Sequence, residues 1–212
     1  MKNRNIATQQ TTWGILRIAC ATALGLASTL ALPLAAQAQN VTPPPVPTGI
    51  EVLPPSQAFL LGHGVGTQNY VCQPSPSIGH VAWTLFTPQA TLFDDQGEQL
   101  TTHFFSPNPD EPGVVVRVTW QDSRDTSTIW AQLVASSTDA NFVTPGAIPW
   151  LRLRVVGARP GPTGGTTLSR ATFVQRLNTA GGAAPSTGCD LPTDIGNKAF
   201  VPYTADYFFY RN

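Results

Sequence analysis

The sequence predicts an all-β protein, a single-domain β-sandwich or barrel of about ten short strands connected by long Gly/Pro-rich loops. Two observations lead to this fold class. Apolar and polar residues alternate with a period of two in several runs, which places one face of each run in a core and the other in water. In addition, no window carries an apolar stripe of helical period over about twelve residues, so long helices are not expected.

The first element in chain order is a leader at residues 1–38. Three basic residues and no acidic one accompany an apolar stretch at 18–32, and the small residues Ala36 and Ala38 occupy positions −3 and −1 of a cleavage site. The stretch is shorter than the roughly 20 residues that a spanning helix needs. We therefore predict a signal peptide cleaved between Ala38 and Gln39, and a secreted or periplasmic protein.

Cleavage changes the charge balance of the chain. The leader holds three of the twelve basic residues, which leaves nine basic residues against twelve acidic ones and a net charge of −3. No basic stretch remains, so a nucleic-acid partner is not expected. No segment after the leader is apolar enough to predict a transmembrane span.

Two cysteines remain after cleavage, because Cys20 lies in the leader. An even number of cysteines in an oxidising compartment favours a disulfide, here between Cys72 and Cys189. The alternative is two separate buried thiols. A metal pair is disfavoured because neither cysteine belongs to a CxxC motif or has a histidine nearby.

Residues 39–49 form a Pro-rich arm that precedes a single all-β domain at 50–212. The sequence VTPPPVPTG favours an extended, polyproline-like backbone. The arm leads into the fold or acts as a plain spacer, and the spacer is the simpler interpretation.

The strands follow the arm. Val114, Val116, Val118 and Trp120 share one face of a predicted strand, and turn residues at 94–97, ending in Gly97, predict a hairpin. The remaining β-rich runs are 58–61, 69–72, 81–86, 91–93, 99–105, 128–134, 151–155, 171–177 and 207–210. Long irregular loops are expected at 157–167 and 181–190.

The closing run at 201–210 carries aromatic residues on both alternating faces. This pattern predicts a strand in the interior of a sheet that is covered on both sides. Asp206 interrupts the run, and we expect an arginine to neutralise it, with Arg176 as the best candidate.

Several sequence blocks are shared with a known family. They are GTQNYVCQ at 66–73, ATLFD at 90–94 with Gly97 and His103, IPWL at 148–151, QRLNT at 175–179 with Gly181 and Gly182, Cys189, and VPYTADYFFY at 201–210. Their order resembles that of the secreted bacterial and fungal proteins grouped as domain of unknown function 3455. The chain departs from this pattern at 104–123, which is lengthened. The resemblance implies a secreted domain without an established activity.

A malate dehydrogenase label carried by some relatives finds no support in the residues. The nearest glycine-rich stretch, at 62–66, lacks the G-x-G-x-x-G spacing, and a strand is predicted after it instead of a helix. A nicotinamide-dependent dehydrogenase is disfavoured, and no cofactor is expected. His63, His80 and His103 match no local metal-binding spacing, so no metal site is expected either.

The leading hypothesis is a non-catalytic binding or envelope-associated module, because common catalytic motifs are absent. Its aromatic residues would suit a carbohydrate, a cell-envelope component or a small aromatic ligand, although packing in the core explains them as well. The alternative is an extracellular hydrolase that acts on a polysaccharide or similar polymer with paired aspartates. The weak catalytic candidates are Asp125, His103, Asp206 and Arg176. Asp94 and Asp125 are most simply turn residues.

Overall fold

The protein is a closed barrel of eight antiparallel strands in which each strand pairs with its neighbours in sequence and β8 pairs with β1. The computed structural model describes residues 41–76 and 80–212; the predicted signal peptide and the cleavage site between Ala38 and Gln39 lie outside these residues. The strands are β1 (Gln57–Ser75), β2 (His80–Phe93), β3 (Gln99–Pro107), β4 (Val116–Asp122), β5 (Thr128–Ser137), β6 (Trp150–Arg159), β7 (Phe173–Gly181) and β8 (Lys198–Arg211). A single 3₁₀ turn at Pro192–Asp194 is the only helical element in the described part of the chain.

The predicted fold class is confirmed, and the closed sheet makes it a barrel. The ten predicted runs correspond to eight strands because two pairs of runs merge. The runs at 58–61 and 69–72 both belong to β1, and those at 81–86 and 91–93 both belong to β2. Glycine and proline between these runs resemble turn signals, but the sheet continues through them.

The glycine-rich stretch of β1 makes room for large side chains inside the barrel. A Cβ atom on Gly64 would lie 2.7 Å from the ring of Tyr207, and one on Gly62 would lie 3.0 Å from Leu92. This stretch pairs with β2 on one side and with β8 on the other. Its glycines therefore serve packing within a strand, and no helix follows them.

The barrel interior holds the main core. Its largest fully buried side chains include Trp120, Tyr207, Phe209, Leu92 and Ile129. Leu168, from the β6–β7 connection, packs into the same cluster. This connection lies at the same end of the barrel as the β2–β3 and β4–β5 turns. Leu168 therefore helps to fill that end of the barrel.

The N-terminal arm packs against the outside of the barrel. Val41 and Val46 lie against an outer cluster that includes Ile50, Phe208 and Tyr210. The plain-spacer interpretation is therefore wrong for the described part of the arm. Because the outer cluster covers this part of the strand, residues 207–210 of β8 are buried on both faces, as their aromatic pattern predicts, whereas the outer face of residues 198–204 is exposed. The strand is paired along both edges.

The disulfide between Cys72 and Cys189 is confirmed. Their Cα atoms are 5.4 Å apart, and the bond joins β1 to the β7–β8 connection. The indole of Trp83 supports the same connection by donating a hydrogen bond of 3.1 Å to the Thr187 carbonyl. Within the described ranges, no helix has the length and apolar character needed to cross a membrane.

The lengthened segment at 104–123 forms the β3–β4 hairpin. The predicted core face is correct for Val118 and Trp120 but wrong for Val114 and Val116, which are 82% and 54% exposed. The reason is that β4 begins at Val116, at the rim of the barrel, so the residues before Val118 have no interior to enter. An ion pair between Glu111 and Arg117 with a 2.5 Å contact supports the hairpin.

Candidate functional site

A cavity of about 330 Å³ lies inside the barrel, at the end opposite Leu168. Its mouth is at Leu133, which is 54% exposed, and its inner end is formed by the fully buried Trp120 and Tyr207. Most of the wall is apolar. The apolar lining residues are Leu85, Pro88, Phe105, Val118, Leu133, Ile148, Pro149, Leu151 and Leu153.

Wider grooves of about 540–720 Å³ lie elsewhere on the surface. They are lined mainly by exposed or half-buried residues of the arm and the strands. The barrel cavity differs from them because several buried polar side chains of the interior converge on it. It is therefore the candidate site, although it is smaller.

Arg176 is the one charged residue that lines the cavity. It faces inward because β7 alternates: Val174 belongs to the inner core, whereas Leu177 belongs to the outer cluster. Its guanidinium donates hydrogen bonds from Nη2 (2.9 Å) and Nε (3.3 Å) to the Pro149 carbonyl. Among the described residues, no carboxylate lies within 4.0 Å of the guanidinium. Arg176 is 9% exposed, and none of the described residues supplies a counter-ion to it.

His103 reaches the cavity from β3 and is electrically neutral. Its Nδ1–H donates a 3.0 Å hydrogen bond to the Thr119 carbonyl, and its ring stacks on Trp120 with centroids 4.4 Å apart. Burial lowers the pKa of His103, the hydrogen bond to the Thr119 carbonyl opposes this shift, and the nearby positive charge of Arg176 adds to it, so that the pKa is about 3. The cavity therefore contains one positive charge and not two at neutral pH.

Two tyrosines of β8 complete the polar part of the interior. The hydroxyls of Tyr203 and Tyr207 are 2.9 Å apart and hydrogen-bonded to each other. Burial raises the pKa of both, so both stay protonated at neutral pH. Arg176 partly offsets the increase for Tyr207, which lines the cavity together with Tyr70 of β1.

Two buried donors at the cavity lack an acceptor. Gln68 is 2% exposed, and its Nε2 makes no hydrogen bond of normal geometry, although its amide lies near the Tyr203 hydroxyl and lowers the pKa of that phenol. The indole Nε1 of the fully buried Trp120 also has none. A buried donor without a partner costs about 1–3 kcal/mol. Both residues line the cavity, so a bound molecule with acceptor oxygens would satisfy them.

The structure brings together two of the four catalytic candidates, His103 and Arg176. Asp125 lies in the β4–β5 turn, where it accepts hydrogen bonds from the backbone N–H groups of Ser127 (2.8 Å) and Thr167 (2.9 Å). Burial opposes ionisation of Asp125, but these hydrogen bonds hold its pKa below the usual range. Asp94 accepts from the N–H groups of its own hairpin. Both aspartates are turn residues, as their local sequence predicts.

The predicted pairing of Asp206 with Arg176 is wrong. Arg176 lies opposite Tyr207 in the β7–β8 register, so both face inward, and Asp206 consequently points to the outer surface. Its carboxylate contacts Nδ1 of His63 and Nδ2 of Asn178, both at 2.7 Å. The other ring nitrogen of His63 lies 2.9 Å from Asp95. The hydrogen bond to Asp95, followed by that to Asp206, raises the pKa of His63.

Sequence reasoning missed Gln68, Tyr203 and Tyr207 as members of the site. The two tyrosines are assigned to a strand correctly, but only the register of β8 against β1 and β7 shows that they face the barrel interior, where Tyr207 lines the cavity. Over residues 41–76 and 80–212, no cluster of three or more histidine, cysteine, aspartate or glutamate residues is arranged to hold a metal.

The fold and the cavity define the protein as an eight-stranded antiparallel barrel with an internal site that opens at one end. The chain belongs to the family described as "Protein of unknown function (DUF3455)", whose sequence profile matches residues 54–211. This confirms the resemblance carried by the sequence blocks. No curated protein and no solved structure matches the chain.

Proposed function

We propose that this protein is an exported, non-catalytic binding module that holds a small ligand inside its barrel. The observation that carries the proposal is the cavity of about 330 Å³, with apolar walls and a few polar groups at its inner end. Ligand sites commonly have this composition, in which apolar walls provide affinity and a few polar groups fix the orientation.

The wall composition favours a small aromatic or aliphatic ligand over a carbohydrate. Nine apolar residues line the cavity, and they could not satisfy the many hydroxyls of a sugar. Hydrolysis of a glycoside requires two facing carboxyl groups. No described aspartate or glutamate lines the cavity, which supports binding over the hydrolase alternative.

Export is supported by the leader and by the disulfide, since disulfides persist in oxidising compartments. Sequencing of the N-terminus of the exported protein should find Gln39 as the first residue. A leader still attached to the exported protein would contradict this part of the proposal.

Binding is testable by titrating the disulfide-bonded protein with compact aromatic compounds, such as 2-naphthoate and 2-naphthamide, and with the sugar maltose. Trp120 lines the cavity, so its fluorescence should report occupancy. We expect saturable binding of at least one aromatic compound. If none binds, or if only maltose does, the proposal fails.

A pair of matched variants locates the binding site. Leu133 lies at the cavity mouth, and Val65 lies on β1 outside the cavity with the same exposed fraction, 54%. Leu133→Trp should weaken binding of the aromatic compound at least tenfold by narrowing the entrance. Val65→Trp should leave the affinity unchanged. Equal effects of the two substitutions would argue against a site inside the barrel.

A further inference from the structure

We propose that the ligand of the barrel cavity is a compact monocarboxylic acid whose carboxylate binds Arg176, while its apolar body lies against the cavity wall. The inference rests on the proposed function and deepens it by specifying the ligand class. The observations that carry it are a buried arginine without an acidic partner and buried donors without acceptors in the same cavity.

The charge of Arg176 is not balanced by any described carboxylate. A charged group that is taken out of water normally requires a partner of opposite charge, because its hydration is lost. Within the described structure, Arg176 donates from Nε and Nη2 to the Pro149 carbonyl and interacts with the Tyr207 hydroxyl, whose pKa it lowers. Both partners are uncharged, and they leave other N–H donors of the guanidinium free. A ligand that brings one negative charge would supply the missing counter-ion.

The cavity is also rich in buried hydrogen-bond donors. Every unsatisfied polar atom among the cavity side chains is a donor: Nε2 of Gln68 and Nε1 of Trp120. Adding the remaining N–H groups of Arg176 gives a set of donors that requires acceptor oxygens. A carboxylate presents two acceptor oxygens in a plane, which matches the fork of a guanidinium.

The cavity suits a ligand with a single negative charge. A phosphate or a dicarboxylate would bring nearly two charges, and the described lining has one cation to meet them. His103 supplies no second charge at neutral pH because it is buried and neutral. A monoanion therefore matches the site better than a dianion.

The size of the cavity limits the apolar body. At about 30 Å³ for each water molecule, the space of about 330 Å³ equals roughly eleven waters, so it suits a ligand of about ten to fifteen non-hydrogen atoms. A bicyclic aromatic acid or a medium-chain fatty acid is of this size. Longer chains would extend through the mouth past Leu133.

The test compares 2-naphthoate with 2-naphthamide on the intact, disulfide-bonded protein at pH 7. The two compounds have the same rings and nearly the same shape, but only the acid is charged. We expect the wild-type protein to bind the acid at least tenfold more tightly than the amide. Equal affinities, or a preference for the amide, would overturn the inference and leave the binding module in place.

Variants connect this preference to the arginine. Arg176→Gln should weaken binding of the acid at least tenfold and leave binding of the amide within about threefold. Arg154→Gln is the matched control, because Arg154 is exposed on β6 and does not line the cavity, and it should keep the preference. An unchanged preference in Arg176→Gln would overturn the inference.

Two further results separate the possible failures. If Arg176→Gln does not fold, Gln68→Leu is tested in its place. Removal of the Gln68 amide donor should reduce the preference for the acid over the amide. An unchanged preference would count against the inference. If the wild-type protein binds neither compound nor any other aromatic probe, the proposed function fails and the inference fails with it. If the protein binds the amide but not the acid, the inference of a carboxylate ligand is refuted and the proposed binding function stands.

Discussion

His103 should make the barrel lose stability in acid. Burial lowers its pKa to about 3 in the folded protein, whereas the unfolded chain binds the proton near pH 6.5. Between these two pKa values, His103 binds a proton in the unfolded chain but not in the folded protein. The free energy of unfolding therefore falls as the pH drops from about 6.5 towards 3. Each pH unit costs about 1.4 kcal/mol, so the histidine should remove about 2 kcal/mol of the unfolding free energy between pH 8 and pH 5.

The variant that tests this is His103→Phe. Phenylalanine keeps an aromatic ring against Trp120 but cannot be protonated, although it loses the hydrogen bond to the Thr119 carbonyl. The relevant quantity is therefore the difference between the unfolding free energies at pH 8 and pH 5, measured by urea denaturation followed by tryptophan fluorescence. This difference should shrink by about 2 kcal/mol in the variant.

His63 provides the control of opposite sign. Its contacts with Asp95 and Asp206 raise its pKa, so its stabilising contribution is fully present below pH 6.5 and is lost as the pH rises through the folded pKa. His63→Gln should lower stability at pH 5.5 and leave it unchanged at pH 9. If His103→Phe keeps the full acid sensitivity of the wild type, or if the His103 ring titrates near pH 6.5 by NMR, the reasoning about burial is refuted.

Three further perturbations test the architecture. Tyr207→Ala should destabilise the protein by about 3–5 kcal/mol, since the ring is 1% exposed in the core; a loss below about 1 kcal/mol in denaturant titration would show that the interior rearranges. Truncation after Pro202 removes most of β8 and opens the barrel between β1 and β7. Thermal unfolding of the truncated protein should therefore lose its cooperative transition. A melting temperature within a few degrees of that of the wild type would contradict this expectation. Cys72→Ser should cost about 2–5 kcal/mol, and alkylation of the intact protein without reductant should modify no cysteine; two modified cysteines would disprove the bond.

The parts of the fold that follow from short-range chemistry were predictable. Asp94 and Asp125 accept hydrogen bonds from backbone N–H groups within a few residues, so their turn roles are encoded locally. The disulfide follows from the cysteine count and the predicted compartment, and the aromatic pattern of β8 follows from burial on both faces. Closure of the barrel depends on the pairing of β1 with β8 at the two ends of the domain, and no local pattern encodes that contact.

The position of Arg176 shows why the site itself could not be predicted. In the sequence Gln175-Arg176-Leu177, alternation predicts the leucine inside and the arginine outside. The structure has the reverse, because the N-terminal arm and its neighbours cover the outer face: Leu177 is buried in the outer cluster, and Gln175 donates a 2.6 Å hydrogen bond to the Ile50 carbonyl. With a second apolar layer outside the wall, β7 can turn its charged residue into the barrel without exposing the leucine. The arm therefore contributes to the cavity indirectly. It helps to cover the outer face of β7, where Leu177 is buried, and the alternation of the strand then places Arg176 in the barrel interior.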